Sequence, residues 1–174
     1  MNLVKFEEKY YKDTYEVYAV TIRYAFEGEG LGHLEDDICS EIAYKEALLR
    51  SYLNGNADNR RILVATDEAE KVIGTISFGP LGKEILDCVD ADFPAEGELG
   101  GLYILPHAQG KGAGSALIGG MLEWIKADGI SQYALDSGYK NAQKRWLQKF
   151  GQPYTVAKDY WGPGFDHMVW LCAL

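Results

Sequence analysis

The stretch Leu102-Tyr-Ile-Leu-Pro-His-Ala-Gln-Gly-Lys-Gly-Ala-Gly-Ser115 decides how this chain is read. An apolar strand closes at Pro106, a short turn follows, and Gly110, Gly112 and Gly114 then open an amphipathic helix. Glycines let a backbone approach an anion closely, and the first helical turn carries N–H groups without intrahelical acceptors. The helix dipole and the charge of Lys111 add attraction. A P-loop is excluded, because Lys111 is followed by Gly112 where Ser or Thr is required. A dinucleotide fingerprint also fails: Ser115 stands where the third glycine belongs, and the unit lies late in the chain. The plain alternative is a glycine-rich helix start that only packs closely.

The flanking pattern is mixed. Residues 99–105 read as a strand and 112–127 as a helix with Leu117, Met121, Trp124 and Ile125 on one side. Upstream, residues 2–6 read as a short strand. Residues 12–27 read as a helix with a stripe of Val17, Val20, Tyr24 and Ala25, and 35–53 as a second with Ile38, Ile42, Ala43, Leu49 and Leu53. Arg61-Ile-Leu-Val-Ala65 and Val72-Ile-Gly-Thr-Ile-Ser-Phe78, separated by an acidic turn, predict a hairpin. Residues 79–96 predict a long loop with one apolar island, Ile85-Leu86. Downstream come a strand over 131–135, a helix over 142–150 stopped by Gly151, and strands over 154–157 and 165–171. The order β-α-α-β-β-β-α-β-α-β-β defines a mixed α/β fold.

The composition bounds the rest. At 174 residues, 47% apolar and 25% charged, the chain fits one domain, 1–174, with a core of its own. Seventeen Lys and Arg against 26 Asp and Glu give a net charge of −9, which excludes a phosphate-backbone binder and suits solubility or a cationic substrate. No apolar run is long enough for an ordinary transmembrane helix, and the charged first 20 residues are unlike a signal peptide. Cys39, Cys88 and Cys172 do not form a disulfide framework and fit a reducing cytoplasm. His33, His107 and His167 are scattered, so no metal site is expected.

The run strand-Pro-x-x-Gln-Gly-x-Gly-x-Gly-helix resembles the acetyl-CoA signature of the GNAT superfamily of N-acetyltransferases, with Gln109, Gly112 and Gly114 at its fixed positions. Glu98-Leu-Gly-Gly-Leu-Tyr-Ile-Leu-Pro106 resembles that family's fourth strand, and the element order is similar along nearly the whole chain. The resemblance implies a central, mostly antiparallel sheet splayed between its fourth and fifth strands. It implies acetyl-CoA as co-substrate, with its pyrophosphate on Gln109, Gly110, Lys111, Gly112, Ala113 and Gly114. The backbone of Leu102, Tyr103 and Ile104, beside a strand bulge, would hold the pantetheine arm, and an amide at or beside Ile104 would polarise the thioester carbonyl. Asn141 is a further candidate contact to that arm.

The implied activity is direct transfer of acetyl to a primary amine of a small molecule or peptide. Such chemistry needs a base. Glu98 is the first candidate, through water, and by alternation it shares a sheet face with Gly100 and Leu102. Asp136 is the second. The plain reading of Glu98 is a solvated strand-end residue. Where the family has a tyrosine acid, this chain has Leu147, so Tyr139, Tyr160 or water is the candidate proton donor to the thiolate. Trp146 is expected in the core. The loops with Glu27, Glu29, Asp87, Asp90, Asp92 and Glu96 suit a cationic acceptor or are merely solvated. A non-catalytic acyl-CoA-binding sensor with the same fold, and acyl transfer to oxygen, remain alternatives, as do monomer and homodimer.

Overall fold

A computed structural model describes residues 1–56 and 58–174. The elements are β1 (Asn2–Lys5), α1 (Tyr11–Gly28), α2 (Glu35–Leu53), β2 (Arg61–Thr66), β3 (Val72–Gly79), α3 (Lys83–Leu86), β4 (Glu98–Ile104), α4 (Ala113–Ala127), β5 (Gln132–Ser137), α5 (Lys140–Phe150), β6 (Thr155–Ala157) and β7 (His167–Ala173). Seven strands form one sheet in the order β1-β2-β3-β4-β5-β7-β6. The pairings β1–β2, β2–β3, β5–β7 and β6–β7 are antiparallel. β4 meets β5 in parallel at the register position Glu98↔Ala134. The mixed, largely antiparallel α/β class expected from the sequence is therefore the class observed.

The chain divides into two compact units. Met1–Phe78 and Gly101–Trp124 form the first, Gly79–Gly100 and Ile125–Leu174 the second, so β4 contributes to each. In the first unit, α4 lies against the sheet through glycine. A Cβ on Gly120 would stand 2.9 Å from Leu3 Cδ1, and one on Gly74 would stand 3.3 Å from Leu117 Cδ1. α1 and α2 are tied together by Tyr11, whose hydroxyl donates to Glu46 Oε1 at 2.6 Å, and by a two-pronged Arg23–Glu35 ion pair at 2.6 and 2.8 Å. In the second unit the core gathers Ile85, Ala134 and Val169 with Leu81, Val89 and Phe93 packed around them.

Several sequence expectations are corrected. α1 buries Thr14, Val17, Tyr18, Thr21, Ile22 and Phe26, whereas Val20 and Tyr24 are 41% and 52% exposed. The true stripe includes threonines, and Thr21 satisfies its own hydroxyl by donating to the Val17 carbonyl at 2.5 Å. In α2, Ile38 and Leu49 are buried, but Ala43 and Leu53 are exposed. The Ile85-Leu86 island is a helical turn, not loop, because Ile85 anchors it in the core. Trp146 is only half-buried, against Phe150. The last strand starts at His167 rather than residue 165. Gly162 and Gly164 adopt positive φ there, and Phe165 N–H turns back to the Gly162 carbonyl.

Candidate active site

The glycine turn lies wholly in the first unit. A single 3₁₀ turn, Pro106–Ala108, follows β4, and Gln109 N–H donates to the Pro106 carbonyl at 3.3 Å. The Gln109 side-chain amide donates to the Ile104 carbonyl at 3.0 Å and ties the turn to the end of the strand. Gly110 and Gly112 have φ of +72° and +87°, and a Cβ at either would meet nothing within 4 Å. Conformation, not crowding, therefore requires glycine here. Ala116 N–H is the donor to the Gly112 carbonyl at 3.0 Å, so the amides of Ala113, Gly114 and Ser115 form the first helical turn, which has no acceptor within the helix. Lys111 is exposed and Ala113 buried. An open cradle of left-handed glycines at the positive end of a 15-residue helix fits a pyrophosphate.

The end of β4 is held from both faces. Tyr103 stacks edge-on against Tyr18 at 5.3 Å, and its hydroxyl donates to Glu41 Oε1 at 2.9 Å. Burial pushes the Tyr18 phenol up to about 12. Ile104 points the other way: a Cβ on Gly74 would stand 2.5 Å from Ile104 Cδ1 and 3.0 Å from the Tyr103 carbonyl oxygen. Gly101 has φ of +61°, and a Cβ there would meet Ser77 Oγ at 2.8 Å. A left-handed residue within the strand interrupts the two-residue alternation that the sequence reading ran from Glu98 to Leu102. Leu102 is half-buried.

The catalytic candidates belong to the second unit. Glu98 is half-buried. Its Oε2 accepts Gly82 N–H at 2.7 Å, and its Oε1 lies 2.7 Å from where a Cβ on Gly100 would be. Alternation from Glu98 to Gly100 thus holds. Asp136 sits within β5, one residue before its end, and its Oδ2 is 2.9 Å from Nε2 of His167. Tyr139 precedes α5, with its backbone N–H donating to Ser137 Oγ at 3.0 Å, and Asn141 is exposed in the first turn of that helix. Sequence reasoning missed His167, which it weighed only as a metal ligand. Register supplies the signal: Asp136 pairs with Val169, which makes His167 its diagonal neighbour two residues away. It also missed Gln143, a buried amide that donates to the carbonyls of Ser137 and Asp166 at 2.9 and 2.8 Å.

The loop carboxylates separate into kinds. Glu96 accepts from Ser131 N–H, the Ser131 hydroxyl and Gln132 N–H at 2.7, 2.8 and 3.2 Å, which holds its carboxyl below the usual range and gives it a structural task. Asp87 is paired with Lys83 and accepts the Tyr160 hydroxyl at 2.7 Å. That hydrogen bond, then desolvation, raises the Tyr160 phenol well above its ordinary value. A phenol so held is a poor donor to a thiolate whose own acid has a pKa of about 8.5. Glu27, Asp90 and Asp92 are exposed. Among the described residues no group of three or more His, Cys, Asp or Glu is placed to hold a metal ion, and no helix is long and apolar enough to cross a membrane.

The strand, glycine turn and helix define a class. The model of the acetyltransferase (GNAT) family matches residues 28–151, and the chain belongs to that family. Solved structures resemble it over nearly their full length. A ribosomal-protein-alanine N-acetyltransferase from Brucella melitensis is 18% identical at a TM-score of 0.72, with 100% of each chain covered. A PaiA N-acetyltransferase from Thermoplasma acidophilum, in complex with coenzyme A, is 18% identical at 0.69, covering 99% of this chain and 98% of that one. An aminoglycoside 6'-N-acetyltransferase complexed with coenzyme A is 14% identical at 0.64, covering 99% and 97%. At these identities the likeness is one of fold. No curated protein matches the sequence.

Proposed function

We propose that the chain, as one acetyltransferase domain over 1–174, moves an acetyl group directly from acetyl-CoA to a primary amine of a small molecule or peptide. The observation that carries this reading is the turn before α4, where Gly110 and Gly112 hold positive φ with open space above them. The single-domain reading is supported by the family match, which runs through residues of both units, and by β4, which neither unit contains whole. Acetyl-CoA supplies the acetyl group as a thioester with a thiolate leaving group. The amides from Gly110 to Gly114 bind the pyrophosphate, and Lys111 adds charge. Gln109 fixes the turn against the strand through Ile104, while the backbone of Leu102, Tyr103 and Ile104 aligns the pantetheine arm. An amide at or beside Ile104 polarises the carbonyl, so the reading needs no metal. Asn141 is a further contact to the arm.

The acceptor must reach the carbonyl as a neutral amine. Glu98 takes its proton through water, and Asp136 is the second acceptor of protons. Tyr139 takes the role of proton donor to the thiolate, since Leu147 has none to give and the Tyr160 proton is held by Asp87. The net charge of −9 supports a cationic acceptor and argues against nucleic acid. We place the protein in the cytoplasm, as a monomer or homodimer without a membrane partner. Leu147 is the observation that favours a second reading, a non-catalytic acyl-CoA sensor.

Amine-dependent release of CoA separates the two. With a polyamine, an aminoglycoside and a lysine-bearing peptide as acceptors, the enzyme reading expects turnover with at least one. It also expects Glu98→Gln to cut kcat by about a hundredfold, within the usual range for a lost general base, with acetyl-CoA affinity unchanged. Acetyl-CoA binding without release for any acceptor establishes the sensor. Unchanged turnover in Glu98→Gln removes Glu98 as the base.

A further inference from the structure

Beyond the assigned carboxylates, the second unit contains a polar chain built around Asp136. His167, at the start of β7, is 2% exposed, a burial that is uncommon for histidine and calls for partners on both ring nitrogens. It has them. The Trp161 indole N–H donates to Nδ1 at 3.1 Å, and Nε2 stands 2.9 Å from Asp136 Oδ2. An indole nitrogen can only donate. Nδ1 therefore carries no proton, and the single imidazole proton sits on Nε2, pointing at the carboxylate. A doubly protonated ring would set N–H against N–H.

The indole is itself seated. A Cβ on Gly138 would stand 2.4 Å from Trp161 Nε1, so only glycine lets the ring lie there. Tyr160 packs on both Trp161 and the imidazole, at 4.9 and 5.2 Å. The charged and titratable groups facing this chain are Asp136 on β5, Tyr160 beside Trp161, and Asp87, Cys88 and Glu84 from α3 and the residues after it. Asp87 is already occupied by Lys83 and Tyr160. Among the described residues, the Asp136 side chain has one hydrogen-bond partner, His167. Its second oxygen has none, on a side chain that is 21% exposed.

We propose that His167 is a positioning residue that aims Asp136 at the acceptor amine, and that Trp161 fixes the tautomer in which it does so. The inference rests on the acetyl-transfer reading above. With Nδ1 accepting from Trp161, His167 holds one carboxylate oxygen through its Nε2 proton and leaves the other free for the acceptor. The other oxygen attracts the acceptor's ammonium. Once Glu98 has taken the first proton through water and the neutral amine has bonded to the carbonyl carbon, that oxygen takes the second proton from the nitrogen as the thiolate leaves. An imidazolium in the same place would form an ion pair with Asp136 and remove that capacity.

Two measurements test this. The ¹⁵N shifts of the His167 ring in the intact protein should show a bare Nδ1 and a protonated Nε2. Trp161→Phe, which alters a half-exposed loop residue and keeps an aromatic ring, should remove the donor to Nδ1 and move the Nδ1 signal away from its wild-type position. In amine-dependent CoA release with the same three acceptors, His167→Leu and Trp161→Phe should lower kcat/KM for the amine tenfold or more, with acetyl-CoA affinity at the wild-type value. His167→Gln, whose amide N–H reaches toward the same oxygen, should recover most of the loss; general loosening of the fold would not be rescued in this way. A proton on Nδ1 in the wild type, or wild-type kcat/KM in both His167→Leu and Trp161→Phe, overturns the proposal and leaves the acetyltransferase reading standing. Wild-type protein that releases no CoA with any amine overturns both.

Discussion

Gly112 holds the shape of the turn proposed to cradle the pyrophosphate. Its φ of +87° costs any other residue about 1–2 kcal/mol, although there is room for a Cβ. Gly112→Ala should therefore relax by moving the amides of the turn. Acetyl-CoA binding, measured by calorimetry, should weaken about tenfold or more, the equivalent of about 1.4 kcal/mol. Glu96 shows the opposite case, a loop carboxylate whose work is structural. Donation from Ser131 N–H first, then the Ser131 hydroxyl and Gln132 N–H, lowers its folded pKa. The stabilisation is thus present above the unfolded value of about 4.3 and is lost as pH falls through the lower folded value. Glu96→Gln should melt below the wild type at neutral pH, and the gap should close on acidification below about pH 4. A gap that stays constant with pH would show that the carboxylate charge contributes nothing.

At the scale of elements, the glycines of β3 and α4 set how closely strand and helix approach. Gly74 on β3 is the tightest of these positions, since a Cβ would press on Ile104 Cδ1 at 2.5 Å and on the Tyr103 carbonyl at 3.0 Å. Gly74→Ala should destabilise by about 1–3 kcal/mol, read by chemical denaturation. It should also raise KM for acetyl-CoA, because the backbone it displaces is the segment proposed to align the pantetheine arm. Loss of stability with KM unchanged would separate packing from binding. Elements with strong local signals were legible in the sequence: the hairpin of β2 and β3, the strand-turn-helix around Gln109, and α4 with Leu117, Met121 and Ile125 buried. α1 was misread because its buried face includes Thr14 and Thr21, whose polarity conceals the stripe. α3 was missed because a four-residue helix shows no period; it depends on burial of Ile85.

At the scale of the molecule, the family and the glycine turn were legible because both depend on local backbone chemistry, positive φ and a helix start, which glycine and its spacing announce. The surroundings of the carboxylates were not. His167 meets Asp136 across 31 positions of sequence and Trp161 across 6, and these meetings follow from the β5–β7 register and from the loop before β7. Gln143 likewise finds its two carbonyls through tertiary packing. A composition of 17 basic and 26 acidic residues fixed the sign of the field but not which carboxylates are structural, paired or available. The central claim is that the glycine turn before α4 is a working acetyl-CoA site. Thermal unfolding with and without acetyl-CoA, with NAD as the control nucleotide, tests it most directly. At about a hundred times its dissociation constant the ligand should add about 2.7 kcal/mol, a rise of a few degrees in Tm with acetyl-CoA alone. An unchanged Tm at millimolar acetyl-CoA, or an equal rise with NAD, would contradict the account.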